Sequence, residues 1–380
     1  MSLQGKCTNH IKGGKDIINK KIKILIADDS ALMRRALRKM IESDSKFVVI
    51  GAARDGEDAV EKARLLQPDV ITMDVNMPRM DGLTALQIIV EEQIAPVLVV
   101  SSLTQKGTVT AFEALELGAF DYVEKPGGTV SLNIEHVRRE LLEKLDAAYM
   151  TSRKQLIMKR LAKRRQIHTP VISKPIVKAP AVIPATFYGV GIGISTGGPK
   201  TIYDVLPALP ENLNAAIFLV QHMPPNFTKQ YAERLNNYSQ MTVVEAEDGM
   251  TVKPGVIYVG KGGYHLKLRK SNDDIKIRLS KIPKHLFIPS AGVMMDSVLA
   301  IFGSRAVGVL MTGMGDDGAD AMVNICKKGG YTIAESKETA IVFGMPAEAI
   351  NRGGAKIVLP SYSIADEIIK TVGVRKWQEY

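Results

Sequence analysis

Residues 21–29 read Lys-Ile-Lys-Ile-Leu-Ile-Ala-Asp-Asp. A short run rich in β-branched residues, Lys23–Ala27, ends on two adjacent carboxylates, Asp28 and Asp29. An amphipathic stretch, Ala31–Ser43, follows at once, with Leu32, Ala36, Leu37, Met40 and Ile41 at helical spacing. The pattern then repeats. Strand-like runs at Val48–Ala53, Val70–Met73, Val97–Val100 and Asp121–Val123 alternate with helical stretches at Gly56–Leu66, Leu83–Glu92 and Gly107–Leu117. Strands alternating with helices of this length predict a parallel sheet with helices on both faces, a doubly wound α/β domain.

All strands of such a sheet point the same way, so residues that follow them gather at one edge, where α/β sheets take ligands. Asp28 and Asp29 follow the first strand and Asp74 the third. Three clustered carboxylates repel one another unless a cation joins them, and oxygen donors of this hardness suit Mg²⁺. Ser101 ends the fourth strand and Lys125 follows the fifth. A hydroxyl and an ammonium there can hydrogen-bond and neutralise a phosphoryl oxygen. Taken singly, each of these residues could equally be a helix cap or a polar strand end.

The chain restarts as a second α/β unit at Tyr188–Ile194, with further buried-strand candidates at Ala216–Val220 and Ala306–Leu310 and a helical pattern after each. Between them, Thr242–Glu245, Val256–Val259, His265–Arg269 and Ile275–Leu279 read as a small antiparallel excursion. The predicted divisions are a disordered leader over 1–20, a first domain over 21–145, a basic, proline-containing linker over 146–186 and a second domain over 187–375. A further helix, Ile134 to Leu161, leaves the first domain. Pro170, Pro175, Pro180 and Pro184 favour extended backbone in the linker.

Charge and cysteine content narrow the class. The net charge is +10, and residues 151–185 hold nine Lys/Arg and no Asp/Glu. That segment accounts for nearly all of the excess, and the remainder is expected to be close to neutral with no basic groove. Neither a helix-turn-helix pattern nor aromatic-basic interleaving is present, so nucleic acid is not expected as a partner. No apolar run reaches the roughly 18 to 20 residues that span a bilayer, and residues 1–21 lack a signal-peptide core. With two cysteines, Cys7 and Cys326, a reducing cytoplasm is the expected location. No feature demands more than a monomer.

The second domain carries a nucleophile pattern. Ser195 ends an apolar strand within Gly193-Ile-Ser-Thr-Gly197-Gly198, a G-x-S-x-G turn. Backbone N–H groups from Thr196 onward would open a helix whose dipole favours developing negative charge. The same turn has a competing reading as a phosphate cradle. A serine hydroxyl needs a base and the base needs an orienting group. His222 ends the next main strand, and Asp316 and Asp317 follow the strand at Ala306–Leu310. His285 is the rival base, Asp204 a weaker carboxylate, and His265 reads as a surface strand residue. No Cys/His cluster has zinc spacing.

Two resemblances cover most of the chain. Ile-Ala-Asp28-Asp29-Ser, Met-Asp74-Val-Asn-Met-Pro-Arg-Met-Asp-Gly, Val-Val-Ser101-Ser and Tyr122-Val-Glu-Lys125-Pro126 resemble the receiver domains of two-component response regulators. The resemblance implies a flavodoxin-like receiver phosphorylated on Asp74 by a histidine kinase. It also implies Mg²⁺ on Asp28, Asp29 and Asp74, phosphoryl contacts from Ser101 and Lys125, and Tyr122 as aromatic switch. Ser195-Thr-Gly-Gly, Gln-His222-Met-Pro, Gly-Gly-Tyr-His265, Leu-Met-Thr-Gly-Met314-Gly-Asp-Asp317-Gly-Ala and Phe-Gly-Met-Pro-Ala-Glu-Ala-Ile are similar to the chemotaxis protein-glutamate methylesterase family.

That second resemblance implies a Rossmann-like methylesterase domain. Ser195 would be the nucleophile, His222 the base and Asp317 the orienting carboxylate, with oxyanion donors at Met314 and Thr196 and no cofactor for the ester reaction. The substrates implied are methyl-accepting chemotaxis receptors, at methylated glutamates and at glutamines. Two departures stand out: Ile194 where many members have a small residue, and Asp316 where Asn is frequent, which leaves open which carboxylate faces His222. A non-catalytic binding module as the output domain is the alternative from another class.

Overall fold

The structure, a computed structural model, describes residues 21–101, 105–125, 131–164, 187–225, 227–272 and 274–375. The predicted leader and the proline-containing part of the linker lie outside the described residues. The first unit comprises β1 (Ile22–Ala27), α1 (Ala31–Ile41), β2 (Phe47–Ala53), α2 (Gly56–Leu66), β3 (Val70–Asp74), α3 (Gly82–Glu91), β4 (Val97–Ser101), α4 (Gln105–Glu116), β5 (Asp121–Glu124) and α5 (Ser131–Arg164). Its strands pair in parallel in the order β2-β1-β3-β4-β5. Side chains such as Ser30, Asp55 and Asp81 cap α1, α2 and α3 by accepting from the amide three residues on. The last helix runs unbroken past position 145 to Arg164, so 146–164 continue the first unit's helix.

The second unit begins with β6 (Tyr188–Ile194), α6 (Gly198–Thr201), β7 (Ala215–Gln221), α7 (Phe227–Tyr238), β8 (Thr242–Glu245) and β9 (Val256–Val259). It continues with β10 (His265–Ser271), β11 (Asp274–Ser280), α8 (Ala291–Phe302), β12 (Ala306–Leu310), α9 (Ala319–Lys327), β13 (Tyr331–Glu335), α10 (Met345–Asn351), β14 (Ile357–Leu359) and α11 (Ser361–Val372). Seven strands pair in parallel in the order β14-β13-β12-β6-β7-β9-β8.

Two expectations change here. The β-rich patch is not one antiparallel excursion: β8 and β9 join the parallel sheet beside β7, and β10 and β11 alone form an antiparallel hairpin. Helix α7 supplies the crossover that a parallel pairing of β7 with this region requires. The helix after Ser195 is also short. It has four residues, followed by 3-10 turns at Ile202–Asp204 and Leu206–Ala208. Pro207 removes a backbone donor and biases Leu206 away from the α region, so no long helix propagates and little dipole accumulates.

Helix α8 packs directly over β6 because β6 alternates glycines toward it. A Cβ on Gly191 would fall 2.9 Å from Met294 Sδ, and one on Gly193 2.6 Å from Ala291 Cβ. Met294, Met295 and Val298 of α8 are buried there.

Candidate active site and its cover

Strand β6 is central, flanked by β7 and β12, and chain progression reverses between β6 and β12. That is the switch-point crevice of an α/β sheet. Ile194 pairs with Gln221, so the next residues, Ser195 and His222, leave the sheet at one level. The turn at Ser195 is sharp: Gly197 has φ 77°, and a Cβ there would lie 2.7 Å from Ile341 Cβ.

His222 Nδ1 lies 3.0 Å from Ser195 Oγ, and His222 Nε2 lies 2.8 Å from Asp317 Oδ2. An ionised carboxylate only accepts, so the imidazole proton sits on Nε2 and Nδ1 is left to accept from the serine. Phe287 lies flat on the imidazole, ring centroids 4.1 Å apart and planes within 5°. Asp317 is buried at the N-terminus of α8. It accepts from Ser290 Oγ at 2.7 Å, Ala291 N at 2.6 Å and Gly292 N at 3.0 Å. Burial alone would raise its pKa. The bonds from His222, Ser290 and the Gly292 amide outweigh it and hold the carboxyl well below the usual range.

Asp316 points elsewhere. It pairs with Arg352 at 2.6 Å on the surface, so the carboxylate facing His222 is Asp317. His285, the rival base, stands at the rim with Nε2 3.9 Å from Asp317 Oδ1, while the serine is bonded to His222. Asp204 accepts from Ser361 Oγ, away from the triad. His265 is no surface residue: it is fully buried. Its Nδ1 accepts from Ser290 N at 3.2 Å, and its Nε2 donates to Pro283 O at 2.9 Å. Alternation along β10 does put it on the hairpin's outer side, but the segment after β11 folds back over it. Burial lowers its pKa and keeps the ring neutral, as an accepting Nδ1 requires.

The loop after β12 passes close to Ser195. A Cβ on Gly313 would fall 2.8 Å from Ser195 Cβ, so glycine is required there. Thr312 fixes the loop: its amide donates to buried Glu335 at 2.7 Å and its Oγ1 to Thr196 O at 2.9 Å. Among the described residues, the amides of Thr196 and Met314 have no protein acceptor. Ser290, Glu335 and Phe287 were not singled out in the sequence. Pro289-Ser290 before an apolar helical run is a readable N-cap signal, and Ser290 indeed accepts from Val293 N. Glu335 is readable as a strand-end carboxylate. The Phe287 stack leaves no local signal.

In the first unit, oxygens of Asp28, Asp29 and Asp74 lie within 4.8 Å of one another. Lys125 Nζ lies 2.7 Å from Asp74 Oδ2 and 3.1 Å from Asp28 Oδ2. Burial raises the Asp74 pKa despite the bond from Lys125. Ser101, at the end of β4, is buried. The donor set fits a hard divalent cation: all ligands are carboxylates, and buried Asp28 Oδ2 makes no hydrogen bond of good geometry.

The two units meet over Ser195. A cavity of about 480 Å³ is lined by Asp121, Tyr122 and Lys144 on one side and Ser195, His222 and Met314 on the other. Tyr122 stacks on Phe227 with centroids 4.9 Å apart, and Phe112 on Tyr231 at 5.8 Å. Gly197 N, two residues from the serine, donates to buried Asp121 Oδ2 at 3.3 Å. Lys144, half-buried, lies 3.6 Å from Asp121 and 2.8 Å from Glu140. Arg234 pairs with Glu116.

Comparison with known proteins agrees with both halves. The family model described as CheB methylesterase matches residues 190–368, and that described as response regulator receiver domain matches residues 24–135. A protein-glutamate methylesterase/protein-glutamine glutaminase of Syntrophomonas wolfei is 58% identical over 354 residues, covering 92% of this chain and 99% of that protein. The chain belongs to the CheB methylesterase family. A second relative, of Carboxydothermus hydrogenoformans and bearing the same enzyme name, is 50% identical over 93% of this chain and 99% of its own. The crystal structure of the Thermotoga maritima CheB methylesterase catalytic domain is 42% identical, covers 50% of this chain and 100% of its own, and has a TM-score of 0.48. This CheB-family chain is thus a receiver-linked carboxylic-ester hydrolase, and among the described residues no helix is long and apolar enough to cross a membrane.

Proposed function

We propose that the chain hydrolyses γ-methyl esters of glutamate on methyl-accepting chemotaxis receptors and deamidates glutamines there, under control of phosphorylation at Asp74. The single observation that carries the chemistry is the hydrogen-bonded line from Ser195 Oγ through His222 to Asp317. Ser195 Oγ attacks the ester carbonyl carbon while His222 Nδ1 takes its proton. Asp317 stabilises the imidazolium that forms. The tetrahedral oxyanion is held by the Thr196 and Met314 amides, each worth about 3 kcal/mol of barrier on comparable sites. Collapse expels the methoxy group, which leaves as methanol with the proton from His222. A water then gives its proton to Nδ1, attacks the acyl carbon and frees Ser195 and the glutamate. With a glutamine substrate, ammonia leaves instead.

The receiver acts as a cover in this account. Asp74 accepts a phosphoryl group from a chemotaxis histidine kinase. Asp28, Asp29 and Asp74 would hold Mg²⁺, which neutralises phosphoryl charge when bound. Lys125 and Ser101 then contact the phosphoryl oxygens, and Tyr122 transmits the change to the interface over Ser195. Interfaces within one chain are commonly small and polar enough for a local charge change to shift them. These partners, and the chain's position beside membrane receptors, suit a cytoplasmic monomer. The test is methanol release from methylated receptor membranes, with and without acetyl phosphate and Mg²⁺. Stimulation in the wild type and no release by Ser195→Ala are expected. Release by Ser195→Ala would sink the assignment.

A further inference from the structure

A cationic surface lies beside the active site. Residues 265–284 hold seven Lys/Arg against two Asp in the sequence, and Asp274 lies opposite Ser271 at the far end of the hairpin from His265. Antiparallel pairing sorts these residues by face. Leu266, Leu268 and Ile277 are buried, packed with Met294 and Val298 of α8. On the other face Lys267 lies directly opposite Arg278, and Arg269 opposite Lys276. Like charges directly opposite one another across strands are destabilising. Asp248, 3.5 Å from Arg278, offsets one of the four.

The cationic face leads toward the catalytic serine. Its near end is the His265–Ser280 pair, and the segment 281–289 lies over buried His265. That segment is clamped by His265 Nε2 on Pro283 O and by Gly263 N on Ile288 O at 3.0 Å. Leu286 and Phe287 line the cavity that holds Ser195. Lys281 and Lys284 are exposed, and beside them Ile282 is 72% and Leu286 54% exposed. A rigid rim thus presents two apolar tips flanked by cations, continuous with a cationic strip and with the mouth of the site.

We propose that this strip and rim dock the substrate polypeptide, and that the occupant is an acidic segment surrounding the scissile side chain. The inference rests on the methylesterase reading above. An enzyme whose every product is a glutamate works on segments that carry carboxylates, and those complement the Lys267, Arg269, Lys276 and Arg278 face. Ile282 and Leu286 would pack on apolar side chains of the same segment. Rim and strip charges of this kind set encounter and salt dependence.

The test uses the full chain with Mg²⁺ and acetyl phosphate. Lys267→Glu/Arg269→Glu and, separately, Lys281→Gln/Lys284→Gln are assayed on methylated receptor membranes and on p-nitrophenyl acetate. The expected result is a KM for receptor raised about tenfold at low salt, a difference that shrinks as salt rises, with p-nitrophenyl acetate hydrolysis unchanged. An unchanged receptor KM, or an equal loss on both substrates in both variants, overturns the docking surface. If the wild type released no methanol, the substrate reading would fall by itself. The surface would then be read by poly-L-glutamate inhibition of p-nitrophenyl acetate hydrolysis, which charge reversal must relieve. Inhibition by duplex DNA but not by poly-L-glutamate would overturn the acidic-polypeptide assignment.

Discussion

Tyr122 of the receiver lies flat on Phe227 of the catalytic domain, with ring centroids 4.9 Å apart and planes within 5°. Phe227 opens the helix that follows His222, so one aromatic contact joins the strand beside Lys125 to the element beside His222. Stacked pairs of this kind are worth about 0.5–1.5 kcal/mol beyond their burial. Tyr122→Ala is therefore expected to loosen the cover and raise methanol release without phosphodonor several-fold, while release with phosphodonor stays near the wild-type rate. Equal rates with and without the substitution, in the absence of phosphodonor, would show that the stack does not restrain the cover.

Lys144 and Asp121 form the polar part of the same interface. Desolvation disfavours the ammonium, but Asp121 and Glu140 outweigh it and raise the Lys144 pKa. Lys144→Met would leave the Asp121 carboxylate buried without its cation. A loss of about 3 kcal/mol in stability is expected, as for other broken buried pairs. Lys144→Met/Asp121→Asn should recover part of it, since no charge is then stranded. Thermal unfolding of the full chain measures both, and a double variant no more stable than the single one contradicts the pairing.

How much of this was legible beforehand depends on whether a feature is local. Apolar runs at 188–194 and 306–310 gave both strands to the residue, because a central parallel strand is apolar throughout. Ser195, His222 and Asp317 were readable because each follows such a strand. The helix expected to open after Ser195 has only four residues, with Pro207 beyond it, so the dipole expected there is small. His265 was misplaced because period-2 alternation puts it outward, and only the later fold-back of 281–289 buries it. Sheet membership of β8 and β9 was equally non-local, as was the Phe287 stack.

Asp317→Asn tests the orienting role proposed for this carboxylate. Asn presents an NH₂ where the carboxylate accepts from His222, Ser290, Ala291 and Gly292. It can neither hold the imidazole tautomer nor stabilise the imidazolium, so kcat should fall on the order of 10⁴-fold. Asp316→Asn, whose parent pairs with Arg352, should leave kcat within about twofold. Similar losses in both would contradict the assignment.

Glu124 predicts a pH dependence of stability. Burial, with Glu140 nearby, raises its pKa from 4.5 to about 7. The fold favours the protonated form, so its contribution is intact below pH 4.5 and is lost as pH rises toward 7. Glu124→Gln should match the wild-type melting temperature in acid and exceed it above pH 7. Parallel curves across that window would contradict the shift.

The most direct measurement is covalent labelling of the full chain, supplied with acetyl phosphate and Mg²⁺, by a fluorophosphonate, with the adduct located by mass spectrometry. The arrangement at the end of β6 predicts one adduct, on Ser195, abolished by His222→Ala. An adduct elsewhere, or labelling of Ser195 that persists at the wild-type rate without the imidazole, would contradict it.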